Sequence, residues 1–99
     1  MQDMERSNYY IELQMYCRGR YMTIASFDRN SCEKIVHELF DELHGDPQAS
    51  DLRRLRINLL LNDTENLKTQ LRSIHCTLDE LAENTKIIIK KTFRAVNFD

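Results

Sequence analysis

Residues 57–92 read INLLLNDTENLKTQLRSIHCTLDELAENTKIIIKKT, and how this stretch is read decides the fold. With Ile57 at heptad position a, the a positions are Ile57, Thr64, Leu71, Leu78, Thr85 and Thr92. The d positions are Leu60, Leu67, Ile74, Leu81 and Ile88. Aliphatic residues fill all of these but the three Thr, and a 3-4 spacing sustained this far predicts a long helix with an apolar seam. A helix over residues 64–92 is roughly 44 Å long. A compact domain of this chain length is only about 34 Å across. The seam therefore overhangs its own domain, and leaving Leu78, Leu81 and Ile88 in water forgoes on the order of 1.5–3 kcal/mol each. The expectation is a partner lying along Leu60, Leu67, Leu71, Ile74, Leu78, Leu81 and Ile88, either a second copy in a homodimer or another protein in a helical bundle. The e positions Leu61, Ala82 and Ile89 widen the stripe, which suits a bundle better than a two-stranded coiled coil.

Upstream, Ser50 and Asp51 have the form of a helix start, and Leu52, Leu55 and Leu59 continue it, so a helix is expected over 50–61. Asn62 and Glu65 hold a second cap spacing, which places a kink or tight turn between two helices. One continuous helix from residue 51 is the alternative. Before that, Cys32, Ile35, Val36, Leu39, Phe40 and Leu43 follow helical spacing after an Asn30–Glu33 capping-box pattern, with Gly45 and Pro47 behind them, and predict a helix over 31–44.

The N-terminal part has a different period. Ile11, Leu13, Met15 and Cys17 alternate with Tyr10, Glu12, Gln14 and Tyr16, and the alternation resumes after Arg18-Gly19. A β-hairpin over 9–27 follows, with Tyr16 beside Tyr21, Met15 beside Met22 and Leu13 beside Ile24. Arg18 fits poorly at the first position of a two-residue turn, where φ is positive, so a longer loop with a one-residue register shift is the alternative. The expected architecture is a single α+β domain over residues 1–99: an N-terminal antiparallel hairpin and two or three amphipathic helices, the last long and bundle-like. No internal repeat is visible.

Composition narrows function. The apolar fraction of 41% and charged fraction of 30% are those of a soluble folded protein, and a net charge of −2 gives no global field toward nucleic acid or an anionic membrane. No apolar run approaches the length of a membrane span. Three scattered Cys and no secretory signal suit a reducing, cytoplasmic compartment. With two Gly there is no phosphate-cradling loop, no nucleophile sits in an activating context, and His37, His44, His75, Cys32 and Cys76 lack metal-site spacing. No enzyme, cofactor or metal site is expected. The reading is a non-catalytic protein-interaction module, a small adaptor, chaperone-like or regulatory subunit, with hairpin residues Tyr16 and Tyr21 as a second association surface. The competing class is a small dimeric nucleic-acid-associated regulator. It would use Lys86, Lys90, Lys91 and Arg94 at the end of the last helix, with Arg53, Arg54 and Arg56 as a further basic group.

Overall fold

The structure, a computed structural model, describes residues 6–63, 65 and 67–97, with side chains as far as residue 92. Its elements are β1 (Arg6–Cys17), β2 (Arg20–Cys32), α1 (Glu33–Asp41), β3 (Leu55–Asn62), β4 (Lys68–Cys76) and α2 (Leu78–Asn97). The four strands form one antiparallel sheet in the order β2-β1-β3-β4.

The largest correction to the sequence reading lies in residues 50–92. No helix spans 50–61. Residues 50–53 form a turn closed by Arg53 N–H to Ser50 O at 3.0 Å, and β3 follows. The long helix over 64–92 and its coiled-coil or bundle seam do not form either: β4 occupies its first part, and α2 begins only at Leu78. Thr64 lies outside the described residues. The physical reason is visible in β3 itself. Leu55, Ile57, Leu59 and Leu61 alternate with Arg56, Asn58, Leu60 and Asn62, which is period two. Leu60 satisfies the heptad only by standing in a run of three Leu. β1 offers the same alternation across eight paired residues, from Asn8↔Asn62 to Met15↔Leu55. Pairing with β1 buries Ile57 and Leu59 completely.

The Asn62–Glu65 spacing marks a hairpin turn rather than a helix start. Asp63 Oδ1 accepts the backbone N–H groups of Glu65 at 2.9 Å and Leu67 at 3.0 Å, so a short acidic side chain closes the β3–β4 loop. The expected Asn30–Glu33 box is also absent. Asn30 belongs to β2, where its side chain accepts from Arg6 Nε and donates to Asn8 Oδ1. Cys32 is the N-cap of α1 and makes no side-chain cap bond. A capping box does form at Thr77-x-x-Glu80. Glu80 N–H donates to Thr77 Oγ1 at 3.1 Å, and Thr77 N–H donates to Glu80 Oε1 at 2.9 Å.

The N-terminal hairpin is present and longer than expected, with Cys17↔Arg20, Tyr16↔Tyr21 and Met15↔Met22 in register. Both turn residues have positive φ, Arg18 at 55° and Gly19 at 85°, as a two-residue hairpin turn demands. Leu13 pairs with Ala25 rather than Ile24, because a bulge leaves Ile24 out of the ladder.

Both helices cover the same face. Tyr9, Ile11 and Leu13 of β1, Val36, Leu39 and Phe40 of α1, Ile57 and Leu59 of β3, Cys76 of β4, and Leu81 and Ile88 of α2 make one buried core. α1 crosses the sheet from β2 toward β4, where Asp41 meets Arg72 at 2.8 Å. α2 crosses back toward β2, where Thr92 accepts from Arg29 at 3.3 Å. Lys91 and Glu42 join the two helices at 2.8 Å.

Of the expected association seam, Ile88 and Leu81 are therefore covered by the chain's own sheet, at 0% and 9% exposure, and Ile74 packs against the same core. Leu78, at 72%, faces water. A 20-residue α2 spans only about 30 Å. It does not outrun the domain, so the overhang argument falls. No described helix is long and apolar enough to cross a membrane.

Candidate functional site

With the helices on one side, the other face of the sheet is left open. Residues opposite one another in the ladder share a face. Tyr10, Glu12, Gln14 and Tyr16 of β1 therefore stand with Tyr21 and Thr23 of β2, Arg56, Asn58 and Leu60 of β3, and Ser73 and His75 of β4.

Gln14 organises the middle of this face. Its Oε1 accepts from Arg56 Nε at 2.9 Å, Arg56 Nη2 at 2.7 Å and Asn58 Nδ2 at 2.8 Å, while its Nε2 donates to Thr23 Oγ1 at 3.1 Å. One neutral oxygen thus receives three donors and fixes the Arg56 guanidinium. That guanidinium stacks 3.6 Å from the centre of the Tyr21 ring. Tyr21 meets Tyr16 edge to face at 5.2 Å, and its hydroxyl lies 3.4 Å from His75 Nδ1. Burial, and next the Arg56 charge, hold the His75 imidazole below its ordinary value, with Asp46 opposing. Arg54 lies 5.7 Å over the Tyr16 ring. At the far end Lys68 sits 4.4 Å over Tyr10 and 3.9 Å from Glu12. Asn58 Oδ1 and Ser73 Oγ, on facing residues, are buried and have no hydrogen-bond partner among the described residues.

At the Tyr16–Tyr21 end the face opens into a cleft of about 250 Å³, lined by those two rings with Ala49, Ser50, Asp51, Arg53 and Arg54. The loop that forms its far wall is pinned to the edge of β4. Asp46 exchanges backbone hydrogen bonds with His75 at 2.9 and 2.7 Å. Gly45 permits this close approach, because a Cβ there would stand 2.8 Å from His75 O. Arg53 is held by Glu80 at 3.2 Å, and the Thr77 N–H first, then Arg53, keep the Glu80 carboxyl below the usual range. Arg54 and Arg56 have no carboxylate partner among the described residues.

The residues singled out from sequence divide as follows. Tyr16 and Tyr21 come together in this cleft, and Leu60 lies on the same open face. Leu67 is exposed beside the β3–β4 turn, and Leu71 is an exposed bulge residue on β4. The basic group on α2 is partly neutralised: Lys86 pairs with Glu83 at 3.5 Å and Lys91 with Glu42. Lys90 is exposed, and the Arg94 side chain lies outside the described residues. Sequence reasoning missed Gln14, Arg56 and His75 as members of one site. The alternation of LRINLLLN would have placed Arg56 on the face opposite Ile57, but Gln14 and Arg56 are 42 residues apart.

The chain matches no protein-family model, no curated protein and no solved structure.

Proposed function

We propose that this chain is a non-catalytic binding module that docks a partner protein on the open face of its sheet. The single observation behind the reading is that face: one side of the sheet carries both helices, and the other carries Tyr10, Tyr16, Tyr21, Arg54 and Arg56 with no helix packed on it among the described residues. Tyr and Arg are the residues enriched at protein interfaces, because they bring large contact area with a polar end. The chemistry on offer is recognition, by guanidinium groups and phenol rings. Association through the helix seam loses its basis, since Leu81 and Ile88 are used within the chain. Three free cysteines support placing the module in a reducing, cytoplasmic setting.

A nucleic-acid reading draws on the same face, because aromatic and basic side chains on an open sheet also suit single strands. It draws less on Lys86 and Lys91, which have carboxylate partners. The test is capture of bound protein by the tagged chain in its native cells, with cross-linking to locate the contact. Tyr16→Ala with Arg54→Ala is expected to abolish capture, and Leu78→Asp with Ile89→Asp to leave it intact. The reverse pattern would move the interface to α2 and defeat this assignment. Tight binding of a short oligothymidylate, with loss of affinity as salt rises, would favour the nucleic-acid reading instead.

A further inference from the structure

We infer that the cleft between Tyr16, Tyr21 and the Ser50–Arg54 turn receives an acidic side chain from an extended segment of the partner, a deepening that rests on the docking reading above. Two guanidinium groups carry the argument, Arg54 in the lining of the cleft and Arg56 outside that lining, stacked on the Tyr21 ring. Arg56 is held by Gln14 and stacked on Tyr21, and Arg54 lies over Tyr16, yet neither meets a carboxylate among the described residues. Elsewhere in the chain the pattern is different: Arg53 has Glu80, Arg72 has Asp41, and Lys91 has Glu42.

A half-buried guanidinium whose only acceptor is a neutral amide oxygen retains most of its charge. It is also fixed in place before any ligand arrives, so less ordering entropy is lost on binding. A carboxylate accepts two parallel N–H bonds from such a fork. The Tyr16 and Tyr21 rings would take the apolar part of the incoming chain, and the cleft of about 250 Å³ holds a side chain rather than a cofactor.

Asp51 is the one opposing charge in the lining. It has no cationic partner among the described residues. It opposes any anion that enters the cleft, so each added negative charge on a ligand raises the cost of binding there.

The full chain, labelled with nitrogen-15, is titrated with a short capped Gly-Glu-Leu-Glu-Gly peptide, with its Gln counterpart and with a short oligothymidylate. The Glu peptide is expected to shift the amides of residues 16–21 and 50–56 and to bind about tenfold tighter than the Gln peptide. Arg54→Gln, at an exposed position, should erase that difference, and Asp51→Asn should enlarge it. Arg56→Lys keeps the charge but loses the fork, and should fall between. Equal binding of the Glu and Gln peptides overturns the inference, and so does tighter binding of the oligothymidylate in the same cleft. If a partner protein still needs Tyr16 while Glu and Gln peptides bind alike, the docking reading survives and the acidic segment does not. If neither peptide nor partner responds to any open-face variant, both fall.

Discussion

Asn84 illustrates what one buried amide does in this fold. It stands on the inner stripe of α2 between Leu81 and Ile88, at 0% exposure. Its Oδ1 accepts the His44 N–H at 2.7 Å and its Nδ2 donates to His44 O at 2.7 Å, so a side chain imitates a strand partner and clamps the α1–β3 connection to α2. Nδ2 also reaches Cys76 Sγ at 3.4 Å, and burial pushes that thiol up to about 11. Asn84→Leu keeps the volume and removes both Asn84 bonds to the His44 peptide, leaving its N–H without that acceptor and its carbonyl with only the Cys76 Sγ donor at 3.4 Å. Leaving the part-buried His44 N–H without its acceptor is expected to cost about 1–2 kcal/mol. Urea unfolding, with an unchanged m-value, measures it. A loss below about 0.5 kcal/mol would mean that His44 finds water instead and the clamp contributes nothing. The helical spacing of Leu81, Asn84 and Ile88 was enough to place Asn84 on the buried stripe. Nothing in it named His44, 40 residues away.

At the scale of elements, two periods competed for the same residues. Over 55–62 the strand period accounts for the buried apolar positions Ile57 and Leu59, and the heptad accounts for Leu60 only because Leu59, Leu60 and Leu61 are contiguous. Over 78–92 the helix period is real, but its apolar stripe faces the chain's own sheet. The hairpin was legible because its alternation is uninterrupted and its turn carries a glycine. The β3–β4 hairpin was hidden by a polar Asn-Asp turn that also imitates a helix cap. The Thr77–Glu80 box marks where α2 begins, but a helix drawn unbroken over 64–92 passed over it.

These two accounts of residues 78–92 rank substitutions differently. A seam shared with a partner treats Leu78 and Ile88 alike. A helix folded onto its own sheet makes Ile88→Ala cost about 2–5 kcal/mol, through lost burial and a cavity, and leaves Leu78→Ala within about 0.5 kcal/mol. Thermal or urea midpoints of the two variants decide it, and equal losses would restore the seam.

The whole molecule is two hairpin-plus-helix units joined edge to edge through β1 and β3, although no sequence repeat announces them. Each hairpin carries one bulge, between Leu13 and Gln14 in the first and between Leu59 and Leu60 in the second. Each bulge leaves an apolar outer-strand residue, Ile24 or Leu71, out of the ladder and exposed. Bulges of this kind twist the two free edges and discourage edge-to-edge pairing, so the sheet is steered toward using its face. The core is split between the units. Tyr9, Ile11, Leu13, Val36, Leu39 and Phe40 come from the first, and Ile57, Leu59, Cys76, Leu81 and Ile88 from the second. Each helix also reaches across to the other unit's outer strand, α1 through Asp41 to Arg72 and α2 through Thr92 to Arg29. A two-stranded hairpin with one short helix is marginal alone, since it leaves the β1 or β3 edge and most of its apolar face in water. Cleavage between Gln48 and Ala49, in the exposed linker, separates the units while leaving Asp46 on the first. Neither fragment is expected to unfold cooperatively by itself. An equimolar mixture should regain a single thermal transition whose midpoint rises with concentration, because the eight-residue β1–β3 ladder then forms between chains. A fragment that melts cooperatively alone would show that one unit holds a sufficient core, and the view of the fold as two interdependent halves would fail at that point.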